Sequence, residues 1–224
     1  MRELFPGIFE DRIGKKAMLL TKSHVTEPHF KERIIESNGT PYREWDPRTS
    51  KLAAAIVKGL RERCFREGDT VLYLGASHGV TASYISDILG ESGTIVAVDI
   101  SPRVLRSLVY IAEKRNNIMP VLADAAHPEG YADFIKQADV LYQDIAQRNQ
   151  AEIFMLNADR FLRPGGYALI ALKARSIDSV KNPQHVFSEV KKQLLQPAHR
   201  LKLIDARTLE PFDRDHMFMV FRKN

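Results

Sequence analysis

Cysteine is almost absent from this chain of 224 residues. Cys64 is the only one, so no internal disulfide can form, and the composition suits a reducing compartment. There is no Cys-x-x-Cys pair and no His/Cys cluster at ligand spacing, so no metal is expected. No apolar run reaches the roughly 18 residues of a membrane-spanning helix, and the N-terminus has no secretory apolar core. A soluble, intracellular protein without a membrane partner is therefore expected. Internal repeats, low-complexity stretches and a glycine- and arginine-rich tail are missing too. Neither sign of charge dominates, since Lys+Arg 33 against Asp+Glu 28 leaves only +5. That is modest for tight, sequence-reading contact with nucleic acid. The excess is local: residues 161–224 carry 12 Lys/Arg against 6 Asp/Glu, and the remainder is close to neutral. A basic region beside a cofactor site allows a polyanionic substrate.

Hydrophobic residues make up 44% of the chain, enough for a full core. Residues 71–81, VLYLGASHGVT, organise the rest. Val71 to Leu74 read as a buried parallel strand. Gly75, Ala76, Ser77 and Gly79 are all small, and Val80-Thr81 lead into a helical spacing that runs to Leu89. Strand, glycine-bearing turn and helix open a nucleotide-binding βα unit, where glycine lets a ligand approach the backbone closely. The pattern Gly75-Ala76-Ser77-His78-Gly79 also fits the nucleophile elbow of α/β-hydrolases. Asp144 or Asp178 followed by His216 would supply the remaining triad members in the right order. The second strand weighs against the hydrolase. It runs from Thr94 to Val98 and ends in Asp99, a carboxylate placed to accept both hydroxyls of a ribose. A hydrolase has no use for Asp99 and would require a reactive Ser77.

Residues 1–50 read differently. Ile8 to Ile13 and Ala17 to Leu20 are expected as short strands around Gly14, and Asn38-Gly39 as a hairpin turn between Arg33–Glu36 and Tyr42–Trp45. This predicts a small antiparallel β domain over 1–50 and a larger domain over 51–224. Thr49 or Ser50 caps a helix from Lys51 to Leu60, and a lysine at a helix start is electrostatically misplaced, which hints at a role. From Gly68 onward strands and helices alternate. A helix is expected over 102–116 and a strand over Met119–Asp124, then a short helix near 130–137. A strand ending at Asp144 follows, then a helix over 149–162 and a Pro164-Gly165-Gly166 stop. A strand ends at Lys173, a helix covers 184–195, and an antiparallel pair over 201–208 and 216–222 closes the chain. Seven strands with one reversed edge strand make the methyltransferase, Rossmann-like variant of the doubly wound α/β sheet. Asp99, Asp124, Asp144 and Lys173 all fall at strand C-termini, the crevice side of such a sheet. Asp124 is placed to accept a hydrogen bond from an adenine amino group.

Along nearly its whole length the sequence resembles the archaeal fibrillarin-like RNA 2′-O-methyltransferases. YREWDPRTSKLAAAI, VLYLGASHGVTAS, SPRVLRSLV, Asp144-Ile145-Ala146-Gln147, RPGGYALIALKARSID and LEPFDRDHMF carry the likeness. The resemblance implies S-adenosylmethionine as donor and ribose 2′-hydroxyls of rRNA or tRNA as acceptors. It implies work inside a box C/D guide-RNA particle, with a Nop-domain scaffold protein and a kink-turn-binding ribosomal protein, in a cytoplasm without a nucleus. The family's catalytic set falls on Lys51, Asp144, Lys173 and His216. Its donor-binding positions fall on the turn residues Gly75, Ser77, Gly79, Val80 and Thr81. They continue at Asp99-Ile100, Asp124-Ala125 and Asp144, Ile145, Ala146 and Gln147. Two positions depart from the pattern: Val80 stands where relatives often have threonine, and Asp99 where many have glutamate.

The chemistry is consistent with those residue types. Methyl transfer needs in-line approach of an oxygen to a sulfonium methyl, so positioning supplies much of the rate. A hydroxyl also needs somewhere to send its proton. A lysine can take it only when neutral, which burial, a second lysine and a sulfonium favour and a carboxylate opposes. Lys173 is expected as general base or hydroxyl-orienting group, with Lys51 and His216 steering the substrate. Two other readings stand beside it: a methyltransferase with a non-RNA substrate, whose cofactor half would look the same, and, from another class, a non-catalytic structural subunit of an RNA particle. The intact set of four argues against the latter.

Overall fold

The computed structural model describes residues 1–13, 16–23, 25 and 27–224. The expected turn at Gly14 lies outside them. Two sheets make up the architecture. The first is antiparallel, with strands β1 (Arg2–Phe5), β2 (Ile8–Ile13), β3 (Lys16–Lys22), β4 (Ile34–Ser37) and β5 (Thr40–Glu44) in the order β1-β2-β3-β5-β4. Asn38 and Gly39 both adopt positive φ, 50° and 72°, as a two-residue hairpin turn requires. β1 was not expected from the sequence, since RELF is too short and too polar to show a period.

The second sheet has seven strands: β6 (Thr70–Leu74), β7 (Thr94–Asp99), β8 (Ile118–Leu122), β9 (Ala138–Gln143), β10 (Leu162–Lys173), β11 (Leu201–Thr208) and β12 (His216–Lys223). Their order is β11-β12-β10-β9-β6-β7-β8, a Rossmann-like methyltransferase sheet. Helices α1 (Lys51–Val57), α2 (Val80–Leu89), α3 (Pro102–Ala112), α4 (Gln150–Phe161), α5 (Ala174–Ile177) and α6 (Pro183–Leu194) connect them. Strand residues alternate between two cores. Val71 and Tyr73 pack with Tyr84, Ile85, Leu108 and Ile111, while Leu72 and Leu74 pack with Phe154, Phe187 and Phe221. The first core also takes in Ile8, Leu19 and Trp45, so the N-terminal sheet shares it.

Four expectations need correction. The reversed strand is not at the edge: β12 lies between β10 and β11 and runs antiparallel to both. Pro164-Gly165-Gly166 does not end an element, because β10 runs through it with an irregular register against β9, and Gly165 supplies φ 72°. The helix near 130–137 is only a 3₁₀ turn at Pro128–Gly130 followed by turns. Tyr131 and Ile135 are both buried at helical spacing, but the Tyr131 hydroxyl is drawn to Asn157 and the Ala125 carbonyl. β8 stops at Leu122, and Asp124 sits in a turn beyond it.

Candidate active site

The turn after β6 is built around Gly75. Its N–H donates to the Val98 carbonyl at 2.8 Å, and φ is +82°. A Cβ there would collide with the Asp144 carbonyl oxygen and lie 2.8 Å from Ile145 Cγ2. Only glycine allows β6 and the segment after β9 to approach this closely. Gly75→Ala is expected to cost about 1–2 kcal/mol from the left-handed backbone alone, with further loss from the clash. Denaturant unfolding checks this, and wild-type stability would contradict it.

Two clefts open on this turn. One, of about 390 Å³, is lined by Thr49, Lys51, Gly75, Ser77, Val80, Thr81, Asp144, Lys173, Asp213 and His216 among others. The other, of about 290 Å³, includes Asp99, Ile100, Ala123, Ala125 and Gln147. Both share Gly75, Ser77, Asp144, Ile145 and Ala146, so they form one continuous groove across the C-terminal ends of β6, β7 and β9. Their sizes suit a small-molecule ligand. Asp99 closes the second cleft, its two oxygens accepting the Ser77 N–H at 2.8 Å and the Ser101 N–H at 2.9 Å. Two expected donor positions line neither cleft. Gly79 caps α2 at φ 88° and packs on Leu108, where a Cβ would come within 2.7 Å. The Asp124 carboxylate turns back to accept the Ala126 N–H at 2.9 Å.

Lys51, Asp144, Lys173 and His216 all line the first cleft, and the fold explains why. Lys51 opens α1, and its Nζ lies 2.9 Å from Asp144 Oδ2, which resolves its unfavourable place at a helix start. The Ser50 hydroxyl caps that helix and accepts the Thr81 hydroxyl at 3.0 Å, tying the starts of α1 and α2 together. Lys173 ends β10, and antiparallel pairing sets His216, the first residue of β12, directly opposite it. Gln150, fully buried, holds Lys173 by the backbone: its side chain accepts the Lys173 N–H at 3.1 Å and donates to the Lys173 carbonyl at 3.3 Å. Gln143 donates to the Gln150 carbonyl at 2.7 Å.

Sequence reasoning missed Asp213, which lies 2.9 Å from His216 Nδ1 and 3.9 Å from Lys51 Nζ. It also missed Gln150 and the buried Tyr73 on the cleft floor. Asp213 lies inside LEPFDRDHMF, but nothing in the spacing separates it from Asp215. Burial, and then the Asp144 carboxylate, hold the Tyr73 hydroxyl well above its ordinary value, so it stays protonated. The hydrolase reading loses its geometry. Among the described residues Ser77 Oγ bonds to its neighbour His78 Nδ1 at 3.1 Å and not to His216, and the acid beside His216 Nδ1 is Asp213, not Asp144 or Asp178.

The model of the family described as Fibrillarin matches residues 1–224. The chain belongs to the fibrillarin family. A Thermococcus onnurineus protein named fibrillarin-like rRNA/tRNA 2′-O-methyltransferase is 45% identical over 221 residues, 98% of this chain and 96% of that one. Among solved structures, Aeropyrum pernix fibrillarin with natively bound S-adenosyl-L-methionine superposes with a TM-score of 0.88. It is 43% identical and covers 96% of this chain and 94% of its own. The fibrillarin of a fibrillarin/Nop5p complex gives a TM-score of 0.87 at 38% identity, covering 98% of both chains. The fibrillarin likeness thus spans both sheets, including the antiparallel one that packs against α2.

Proposed function

We propose that this chain transfers a methyl group from S-adenosylmethionine to ribose 2′-hydroxyls of rRNA and tRNA, as the catalytic subunit of a box C/D guide-RNA particle. The observation that carries the reading is the meeting of two clefts at Gly75 and Asp144, with Lys51, Lys173 and His216 gathered on one side. The relatives support it: one is named for this reaction, one holds S-adenosylmethionine, and one stands in complex with Nop5p. In this reading the partners are a Nop-domain scaffold protein, the guide and target RNAs and a kink-turn-binding ribosomal protein. The work is done in an archaeal cytoplasm.

The residues present fit the donor. Gly75, whose lack of a Cβ lets the Asp144 segment approach β6, lines both clefts, so the groove runs past the turn on either side. Asp99 and Ile100, with Ala123 and Ala125, would hold its nucleoside part; Val80 and Thr81 lie on the other side of the turn. The bound donor supplies an electrophilic methyl on a sulfonium. The chain's own residues bind, orient and manage charge. The Lys51–Asp144 pair fixes one wall, and Lys173 presents a cation to the acceptor oxygen.

Asp99→Ala is expected to weaken donor affinity by roughly 10- to 100-fold, the scale of one charged hydrogen bond. Titration calorimetry on the isolated chain reads this. Undiminished affinity would move the ribose elsewhere.

A further inference from the structure

The geometry points to an Asp213–His216 pair as the device that takes the acceptor hydroxyl's proton, with His216 Nε2 as the base and Asp213 as its positioning residue. The assignment rests on methyl transfer to a ribose hydroxyl at this cleft. His216 is buried yet lines the cleft, opposite Lys173 on the neighbouring strand. Its Nδ1 lies 2.6 Å from the Arg214 carbonyl oxygen and 2.9 Å from Asp213 Oδ1. A carbonyl and a carboxylate only accept, so Nδ1 must be the donor and carries the ring hydrogen. The neutral ring then leaves Nε2 as an unprotonated acceptor, on the edge away from the loop at Asp213 to Asp215. Among the described residues no hydrogen bond to protein occupies Nε2.

The surrounding charges divide the labour. Lys51 is held by Asp144 at 2.9 Å and lies 3.9 Å from Asp213, so its Nζ is already engaged by carboxylates. Lys173 makes no ion pair among the described residues and stands across the strand pair from His216. Asp213 faces the ring from its own loop, where Asp215 is paired with Arg175 at 3.0 Å; Lys173 faces it from β10, and Lys51 and Asp144 complete the cleft. An imidazolium formed here meets a carboxylate at Nδ1, while the Lys173 charge stabilises the oxygen that loses its proton.

The step balances. As the ribose oxygen bonds to the methyl carbon, the carbon–sulfur bond breaks and its electron pair stays on sulfur. The O–H bond breaks and its proton forms the Nε2–H bond. His216 later yields that proton to water. Lys173 thereby becomes a fixed charge and not the base that its residue type invited.

The first readout needs no donor or RNA. Two-bond ¹⁵N–¹H correlations on the labelled full chain at about pH 8.5, above the ordinary histidine range, are expected to show His216 protonated at Nδ1 and bare at Nε2. A hydrogen on Nε2 in the neutral ring would overturn the pair. The second readout is single-turnover methylation in the reconstituted particle. His216→Ala is expected to lose about 10²-fold or more in rate with donor affinity unchanged, and added imidazole to restore part of it. Asp213→Ala should lower kcat about 10-fold without moving the KM for RNA, a split that general loosening would not give. A wild-type rate in His216→Ala also overturns the assignment. If the wild-type particle transfers no methyl at all, the functional reading fails, and the tautomer still decides the pair.

Discussion

Asp87→Ala is expected to remove about 3–5 kcal/mol of stability, the cost of breaking a buried charge network from one side. Asp87 on α2 sits between two buried guanidiniums, 2.7 Å from Arg43 and 2.7 Å from Arg115. Arg43 comes from β5, lies 2.7 Å from Glu32, and stacks over Tyr84 at 4.2 Å. The Thr21 hydroxyl on β3 donates to Asp87 at 3.0 Å. The network therefore bolts the antiparallel sheet to the helix that follows the donor turn. Alanine would leave two buried cations without this partner, against a total stability of only about 5–15 kcal/mol for an ordinary domain. Denaturant unfolding measures it, and a loss below about 1 kcal/mol would show that water reaches the network.

The same network predicts an acid limb. Burial raises the Glu32 carboxyl, but Arg43 and the His29 and Phe30 N–H groups outweigh it and hold the group below its ordinary 4.5. A depressed carboxylate contributes stability that is full above its unfolded value and lost as pH falls through the folded one. Stability should therefore decline below about pH 4.5, and Glu32→Gln should flatten that decline. An unchanged acid limb in the variant would place its source elsewhere.

Lys173→Ala is expected to lower the methyl-transfer rate by about 10²–10³-fold, the scale for losing one fixed group that stabilises developing charge. Donor binding and assembly should be nearly intact, because Gln150 holds this position by its backbone and not by its ammonium. Lys173→Arg sharpens the point. Guanidinium stays protonated and cannot accept a proton, yet keeps the charge. With His216 as base, the arginine variant should retain clearly more activity than the alanine one. Equal loss in both would return the proton to Lys173.

The βα alternation, the Asn38-Gly39 hairpin and the crevice-side placing of Asp99, Asp144 and Lys173 were legible because each rests on local pattern. What escaped was set by long-range pairing. Arg43 and Asp87 are 44 residues apart and Arg115 is 28 beyond Asp87, so no window in the sequence shows that they share one buried site. The place of His216 opposite Lys173 depends on β12 inserting between β10 and β11, where an edge position was expected. Asp124 ends a run that reads as strand, but the chain turns two residues early, and one of its carboxylate oxygens accepts the Ala126 N–H in that turn. Tyr131 and Ile135 kept helical spacing without a helix, since a stretch of seven residues before β9 is too short to repay nucleation without packing.

Guided 2′-O-methylation is tested most directly by supplying labelled S-adenosylmethionine and target RNA to this chain, alone and in a particle rebuilt with scaffold protein, kink-turn-binding protein and guide RNA. The label is then mapped to an atom. The account predicts label on one ribose 2′-oxygen, at the nucleotide the guide selects, with the particle. It predicts very little transfer by the chain alone, whose net charge of +5 gives weak hold on RNA. Label on a base or on protein, or efficient site-specific transfer by the free chain, would contradict it.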